Sequence, residues 1–521
     1  MTLNPTTVTV DTGCVVADLD PRVFGGLLEH MGRCVYEGIY DLSSPHADEF
    51  GCRRDVLEAL GALEMTAMRY PGGNFVSGYD WRDGIGPAER RPVKVERAWR
   101  CLESNQFGTD EFLALCERMN WTPMMAVNLG TGTAQDAQDL VAYCTASTRT
   151  KFGDLRASHG RETPYEVDLW CLGNEMDGSW QIGHTTVDEY TKRARDAAAA
   201  MREVRPGIEV VACGSSDPNL RSYPAWDRAV MGGFGDGLDL LSVHRYARNW
   251  HRRTDRYVAF GVLVDRQIEQ LARVSRDVAR REGYPRAPRL SFDEYNVWYR
   301  TQLSVLPRRF IPRGRLRHAP HILEEVFDLQ DALVVAGFLN SFVRHADVVR
   351  VANLAQVANV IAPIITRGDD LLLQSTYDVF RMFSSRKNGE ALEVDVAGPT
   401  YDLRWTGTVP FLDVSAVHGD GQLHVHAVNR SQVHSAPVQI QVAGATVAGV
   451  REAEVVTGAH PGVRNTWDQP DAVRARPLAG VTVSDATAEA LLPPLSVSSI
   501  SFEVGSGRGR LATTQPPRAT T

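Results

Sequence analysis

From about residue 20 to residue 385 the chain alternates short apolar runs with longer stretches in which apolar residues recur at helical spacing, a beta-alpha rhythm. Eight apolar runs stand out, at 23–28, 65–68, 123–127, 167–172, 209–212, 238–243, 289–292 and 348–352. Between several of them the spacing predicts helices over 55–63, 110–119, 186–204, 262–282 and 329–345. One of these opens with Thr186-Val-Asp-Glu189, the spacing of a capping box in which hydroxyl and carboxylate satisfy the first free amides. Eight strand pulses, each followed by helical or loop material, predict an α/β fold: a (β/α)8 TIM barrel carrying insertions. A doubly wound open sheet is the alternative, but no Gly-x-Gly-x-x-Gly follows the first strand.

Past residue 390 the rhythm changes to short segments of alternating polarity, such as Leu412-Asp-Val-Ser-Ala-Val417 and Leu423-His-Val-His-Ala-Val428. Gly419-Asp-Gly421 between them is a hairpin signal. The carboxyl-terminal part therefore reads as an antiparallel β-sandwich, to which the alternating Val8-Thr-Val10 could add a strand. The division that follows is a barrel over 18–385, a sandwich over 1–17 plus 386–504, and an aperiodic tail, 505–521, expected to be disordered.

Composition narrows the class. With 521 residues, 43% hydrophobic and 23% charged, the chain has ample material for a folded core. A net charge of −8 removes the basic footprint of a nucleic-acid binder. The longest strongly apolar stretch, 331–339, is about half a membrane span. The first ten residues lack the charged and apolar regions of a secretory signal, so the chain reads as cytoplasmic. Eight scattered cysteines without a Cys-x-x-Cys pair argue against a zinc knuckle, a redox motif or a disulfide framework.

In a barrel the chemistry gathers where the strands end, because the loops that follow converge there. The residues at or just after each pulse are Glu29, Arg69 with Asn74, Asn128, Asn174 with Glu175, His244 with Tyr246, Glu294, and Asn353 with Gln356; only the fifth pulse lacks such a group. A carboxylate ending an apolar strand must be paired or sit in a cleft, since burying an isolated charge is costly. Three carboxylates among amides, an arginine, a histidine and a tyrosine, with no His/Cys cluster of metal spacing, suit a neutral polyhydroxylated ligand. Sugars fit better than phosphates, for which there is no glycine-rich cradle.

Glu175 and Glu294 lie about three beta-alpha units apart, which would set them across the barrel mouth. Paired carboxylates of this kind perform glycoside chemistry when one is held protonated and the other ionised. A separation of about 5–5.5 Å gives retention, and about 6.5–9.5 Å leaves room for a water and gives inversion. Arg69 near Glu294 would balance its charge as well as hold it.

Long segments carry a family resemblance: 69–87, which begins Arg69-Tyr-Pro-Gly-Gly-Asn74, then Gly173-Asn-Glu-Met-Asp-Gly178, Phe292-Asp-Glu-Tyr-Asn-Val-Trp-Tyr299 and 352–363. Together with Glu29-His-Met-Gly-Arg33, 99–111 and Ala126-Val-Asn-Leu-Gly-Thr131, they resemble the signature segments of the alpha-L-arabinofuranosidases of glycoside hydrolase family 51. The likeness spans the barrel and continues weakly through Ala427-Val-Asn-Arg-Ser431. It implies a retaining, exo-acting enzyme that releases terminal alpha-L-arabinofuranosyl groups without metal or organic cofactor. It further implies a jelly-roll-like form for the sandwich and a homo-oligomer, often a hexamer. Carried over, Glu175 is the acid/base and Glu294 the nucleophile. Glu29, Arg69, Asn74, Asn174, His244, Tyr246 and Gln356 hold the sugar or orient the acids, and Trp298, with Trp180, walls the furanose and aglycone sites. Tyr295, where the family commonly shows Trp, and Glu37, where a small or neutral residue is frequent, depart from the pattern.

Other readings stay open at this point. An endo-acting glucanase or xylanase, a silent sugar-binding protein, and furanosidases for galactofuranosides or D-configured pentofuranosides share the same residues. His424 and His426, at i and i+2 of a strand, read as a solvated sheet face, Trp81 and Trp99 as core, and Asn128 and Asn353 as backbone-bonding amides. The basic run Arg308–His318 reads as a solvated or subunit-contacting loop on the catalytic face.

Overall fold

The computed structural model describes residues 2–249, 252–298, 316–404, 406–484 and 486–506. Most of the basic run and of the expected disordered tail lies outside these residues. Eight parallel strands close into a barrel in sequence order: β1 Gly25–Leu27, β2 Ala67–Tyr70, β3 Thr122–Val127, β4 Leu169–Leu172, β5 Glu209–Cys213, β6 Leu240–Ala247, β7 Arg289–Val297 and β8 Val349–Ala355. All eight apolar runs become barrel strands, so the open-sheet alternative falls.

Along each strand alternate side chains divide between two cores. Met124, Ala126, Leu169, Cys171, Val211, Leu240 and Val351 fill the barrel interior. Their neighbours Met125, Val127, Trp170, Leu172, Val210 and Leu241 pack outward in the large core shared with the helices. The five expected helices form as Arg54–Ala62, Thr109–Met119, Val187–Val204, Gly261–Glu282 and Leu329–Arg344. The capping box at Thr186 is only half made. The hydroxyl accepts from the Glu189 amide, but the Glu189 carboxylate turns to Arg193 one turn on. Helices at Ala134–Thr145, Lys151–Ser158, Ala225–Phe234 and Ser375–Ser384 were not foreseen.

The second unit is a ten-stranded, mainly antiparallel sheet curled around its own apolar core. Strand Thr6–Asp18 lies inside it, antiparallel to Glu390–Ala397 and parallel to Ala436–Ala443. Leu412–Gly419 and Gln422–Asn429 form a hairpin through Asp420 and Gly421, both at positive φ (52° and 71°), as a tight two-residue turn requires. His424 and His426 do not face solvent. Helices Leu329–Arg344 and Ser375–Ser384 cover that sheet face, and His426 stacks on Phe383 with ring centroids 4.0 Å apart. Burial beside Arg386 presses both imidazoles below their ordinary range, His424 to about 4.

Candidate active site

The carboxyl ends of the strands deliver the expected polar residues to one network. On β2 the alternation turns Arg69 inward, and its guanidinium forks: Nη1 donates to Glu294 Oε1 at 2.7 Å and Nη2 to Asn174 Oδ1 at 2.8 Å. Asn174 Nδ2 reaches Asn74 Oδ1 at 3.4 Å. Strand β4 stops at Gly173, whose φ of 86° starts a sharp turn; Glu175 follows at φ 44°, a left-handed conformation that a side chain rarely adopts. Beyond the turn, the exposed Trp180 donates its indole N–H to Glu175.

Strand β7 carries two successive acids, and a plain strand would point them to opposite faces. The pairing register shifts between Ser291 and Glu294 against β6, and between Phe292 and Tyr295 against β8. This bulge turns Asp293 and Glu294 both toward the barrel interior while Phe292 and Tyr295 pack outward on Phe342. Tyr295 is therefore part of the barrel's outer core. Glu37 is exposed at φ 61°, 3.6 Å from Arg33.

His244 on β6 joins the two acids. Its Nδ1 lies 2.9 Å from Glu175 Oε1 and 3.4 Å from Glu294 Oε2. The Tyr246 hydroxyl, one alternation further along the strand, donates to Glu294 Oε2 at 2.8 Å. Glu175, His244 and Glu294 each bring one atom within 4.8 Å of the others. That spacing could also hold a cation, but the imidazole already stands as the shared partner of both carboxylates.

Burial opposes a charge on His244, yet Glu294, Asp293 and Glu175 together raise it well above the ordinary imidazole range. Asp293, behind it, resists burial through Arg69, His244 and the Ser242 hydroxyl, and is held below the usual carboxylate range. Burial and the charge of Glu294 keep the Tyr246 phenol protonated far above its usual range, so it remains a donor.

Glu29, just past β1, sits under the same mouth. It accepts from the Phe75 amide at 3.0 Å, the Trp99 indole at 2.9 Å and Gln356 Nε2 at 3.0 Å, while Gln356 Oε1 accepts the Glu29 amide at 2.9 Å. Burial and the nearby Glu294 nonetheless push its carboxyl up to about 7. Two glycines let the backbone pass: a Cβ on Gly72 would sit 2.2 Å from the Glu29 side chain and one on Gly73 2.5 Å from Glu294 Oε1. Trp298 follows β7 and meets Tyr246 edge to face, centroids 5.3 Å apart.

Every expected site residue thus lies in this network or against it. Trp99, expected in the core, is half-buried and bonded to Glu29. Trp81 is buried. Asn128 bonds backbone as expected, accepting from the amides of Gly130, Thr131 and Gly132. Asn353 does not: its Nδ2 meets the sulfur of Met124, and its Oδ1 is buried without a hydrogen-bond partner among the described residues. Asp293 was missed; its one signal was adjacency to Glu294, which a strand pattern reads as the opposite face.

Two facing carboxylates held by donors at the carboxyl-end mouth of a (β/α)8 barrel are the equipment of a glycoside hydrolase. Residues 59–260 match the alpha-L-arabinofuranosidase 1 domain and residues 293–496 the alpha-L-arabinofuranosidase C-terminal domain. An intracellular exo-alpha-(1->5)-L-arabinofuranosidase of Streptomyces lividans is 40% identical over 94% of this chain and 74% of that protein. An exo-alpha-(1->6)-L-arabinofuranosidase of Bifidobacterium longum is 36% identical over 96% of this chain and 97% of that protein. A solved structure of a family 51 alpha-L-arabinofuranosidase from Bifidobacterium longum superposes with a TM-score of 0.91 at 33% identity, covering 96% of this chain and all of that one. The chain belongs to the alpha-L-arabinofuranosidases of glycoside hydrolase family 51.

Proposed function

We propose that this protein is a retaining, exo-acting hydrolase that removes terminal alpha-L-arabinofuranosyl groups by double displacement. The observation that carries the reading is the closeness of Glu175 and Glu294, with oxygens within 4.8 Å across His244, which matches the short separation of retaining enzymes. Glu294 attacks the anomeric carbon while Glu175 protonates the departing oxygen; Glu175 then takes a proton from the water that releases the sugar. Arg69 and Tyr246 each hold one oxygen of Glu294, so that its free lone pairs face the sugar. His244 and Trp180 each hold one oxygen of Glu175. Glu29, Asn74, Asn174 and Gln356 bind the furanose hydroxyls, and Trp298 walls the site.

The S. lividans and B. longum relatives are named for 1->5 and 1->6 linkages, so linkage preference is set by parts that vary within the family. We extend to this chain the intracellular location in the first relative's name, the homo-oligomer of the resemblance, and the division into 18–385 and 1–17 with 386–504. Glu175→Ala is expected to keep activity on an aryl arabinofuranoside with a good leaving group far better than on an oligosaccharide, and azide should yield a glycosyl azide of unchanged configuration. Glu294→Ala should be inactive on both. A Glu294→Ala enzyme that still hydrolyses either substrate would overturn the assignment.

A further inference from the structure

A cavity of about 310 Å³ lies beside the catalytic network. Tyr246 is common to both: it lines this cavity and donates to Glu294. Strand β6 and the loops after β5 and β6 supply most of the wall, including Asp217, Arg245, Arg248, Arg253 and Arg256. Four guanidinium groups and one carboxylate thus line it. That carboxylate is already engaged, since Asp217 Oδ1 accepts from the backbone and side-chain amides of Asn219 at 2.8 and 2.6 Å. Arg253 is paired with Asp255 at 2.6 Å.

Arg245 is the unusual member. It sits between His244 and Tyr246 on β6, and strand alternation turns it out of the barrel into this cavity. Its Nε is buried with no hydrogen-bond partner among the described residues, and its guanidinium lies over the Phe260 ring at 4.9 Å. Burial lowers its pKa, against the pull of Asp217, so the charge is held at a cost. Arg256 is exposed at the rim. Among the described residues neither Arg245 nor Arg256 is in an ion pair, and planar guanidinium forks in that state are suited to bidentate capture of an oxyanion.

We infer that this cavity is an oxyanion site, built to take a carboxylate or phosphate group beside the catalytic mouth. Two sources share that chemistry: the carboxylate of a uronic acid unit on the saccharide being cleaved, and a free inorganic anion. A substrate-borne carboxylate held here would select acidic, arabinose-bearing saccharides, an inference that rests on the proposed activity; binding of a free anion does not.

The test uses the full chain, with Arg256→Gln and Arg245→Met as variants. Inorganic phosphate and sodium glucuronate are titrated at constant ionic strength against chloride, and Tm is read; a rise in wild type that both variants lose is expected. In parallel, kcat/KM is compared on a neutral arabino-oligosaccharide and on one carrying a glucuronate unit. If the carboxylate comes with the substrate, Arg256→Gln loses about tenfold on the acidic saccharide alone, the size of one charge-assisted hydrogen bond. If only the Tm rise is lost, the ligand is a free anion. No anion-dependent rise and no acidic preference in wild type, or effects equal in wild type and both variants, would overturn the site. If all forms are inactive on both saccharides, the proposed activity fails and the Tm titration alone decides the anion site.

Discussion

Glu29, proposed to bind the sugar, lowers stability as the pH rises. In the unfolded chain its carboxyl ionises near its ordinary 4.5, whereas in the folded protein it keeps its proton to about 7. Between those values the folded state carries the extra proton, so this residue makes stability fall as pH rises. Glu29→Gln removes the effect. Its stability relative to wild type should grow between about pH 5 and about pH 8, by on the order of 2 kcal/mol in urea unfolding, while kcat/KM falls. A stability difference that stays flat across that range would contradict the account. Glu29, Arg69, Glu175 and Glu294 were legible in the sequence because each stands at or just past the end of an apolar run, whereas Asp293 was passed over as the opposite face of the strand. Trp99 was not legible either: its contact with Glu29 is made across 70 residues, through a hairpin of Lys94–Glu96 and Cys101–Glu103 that no periodicity announces.

At the scale of elements, two local devices set the acids. The bulge in β7 brings Asp293 and Glu294 to one face, and the glycines after β2 let the chain pass under Glu29 and Glu294. Eight strands could be read from apolar runs, but the runs ended too early in β6 and β7. His244, Tyr246 and Glu294 are polar yet remain strand residues, because they satisfy one another across the β6–β7 pair, with Arg69 and Glu175 completing the network. A hydrophobic count stops at the first such residue. The same limit explains His424 and His426, whose alternation was seen while the helices covering them were not. Gly73→Ala would place a methyl group 2.5 Å from Glu294 Oε1 and displace the carboxylate. A drop in kcat of about 10²-fold is expected, as for other small misplacements of a reacting group. Circular dichroism and Tm check that the fold persists. A fully active Gly73→Ala enzyme would show that the position of Glu294 tolerates the shift.

At the scale of the molecule, the barrel and the curled sheet are joined by buried charge as well as by apolar packing. Asp413, on the sheet, meets Arg344 of helix Leu329–Arg344 at 2.8 Å and Arg430 at 2.9 Å; Arg430 in turn donates to the Val258 carbonyl at 3.1 Å. Removing one partner of a buried ion pair strands the others. Asp413→Ala should cost on the order of 3 kcal/mol, lowering Tm in a calorimetric scan, with both units still unfolding in one transition. Two separated transitions would mean that the units are held together by less than this contact implies. The proposed double displacement requires Glu294 to form a bond to the sugar. The direct test is intact-mass and peptide mass spectrometry after reaction with a 2-deoxy-2-fluoro-arabinofuranosyl donor bearing an activated leaving group. One glycosyl unit on the peptide containing Glu294 is the predicted result; a label on Glu175, or turnover of the donor with no label at all, would contradict it.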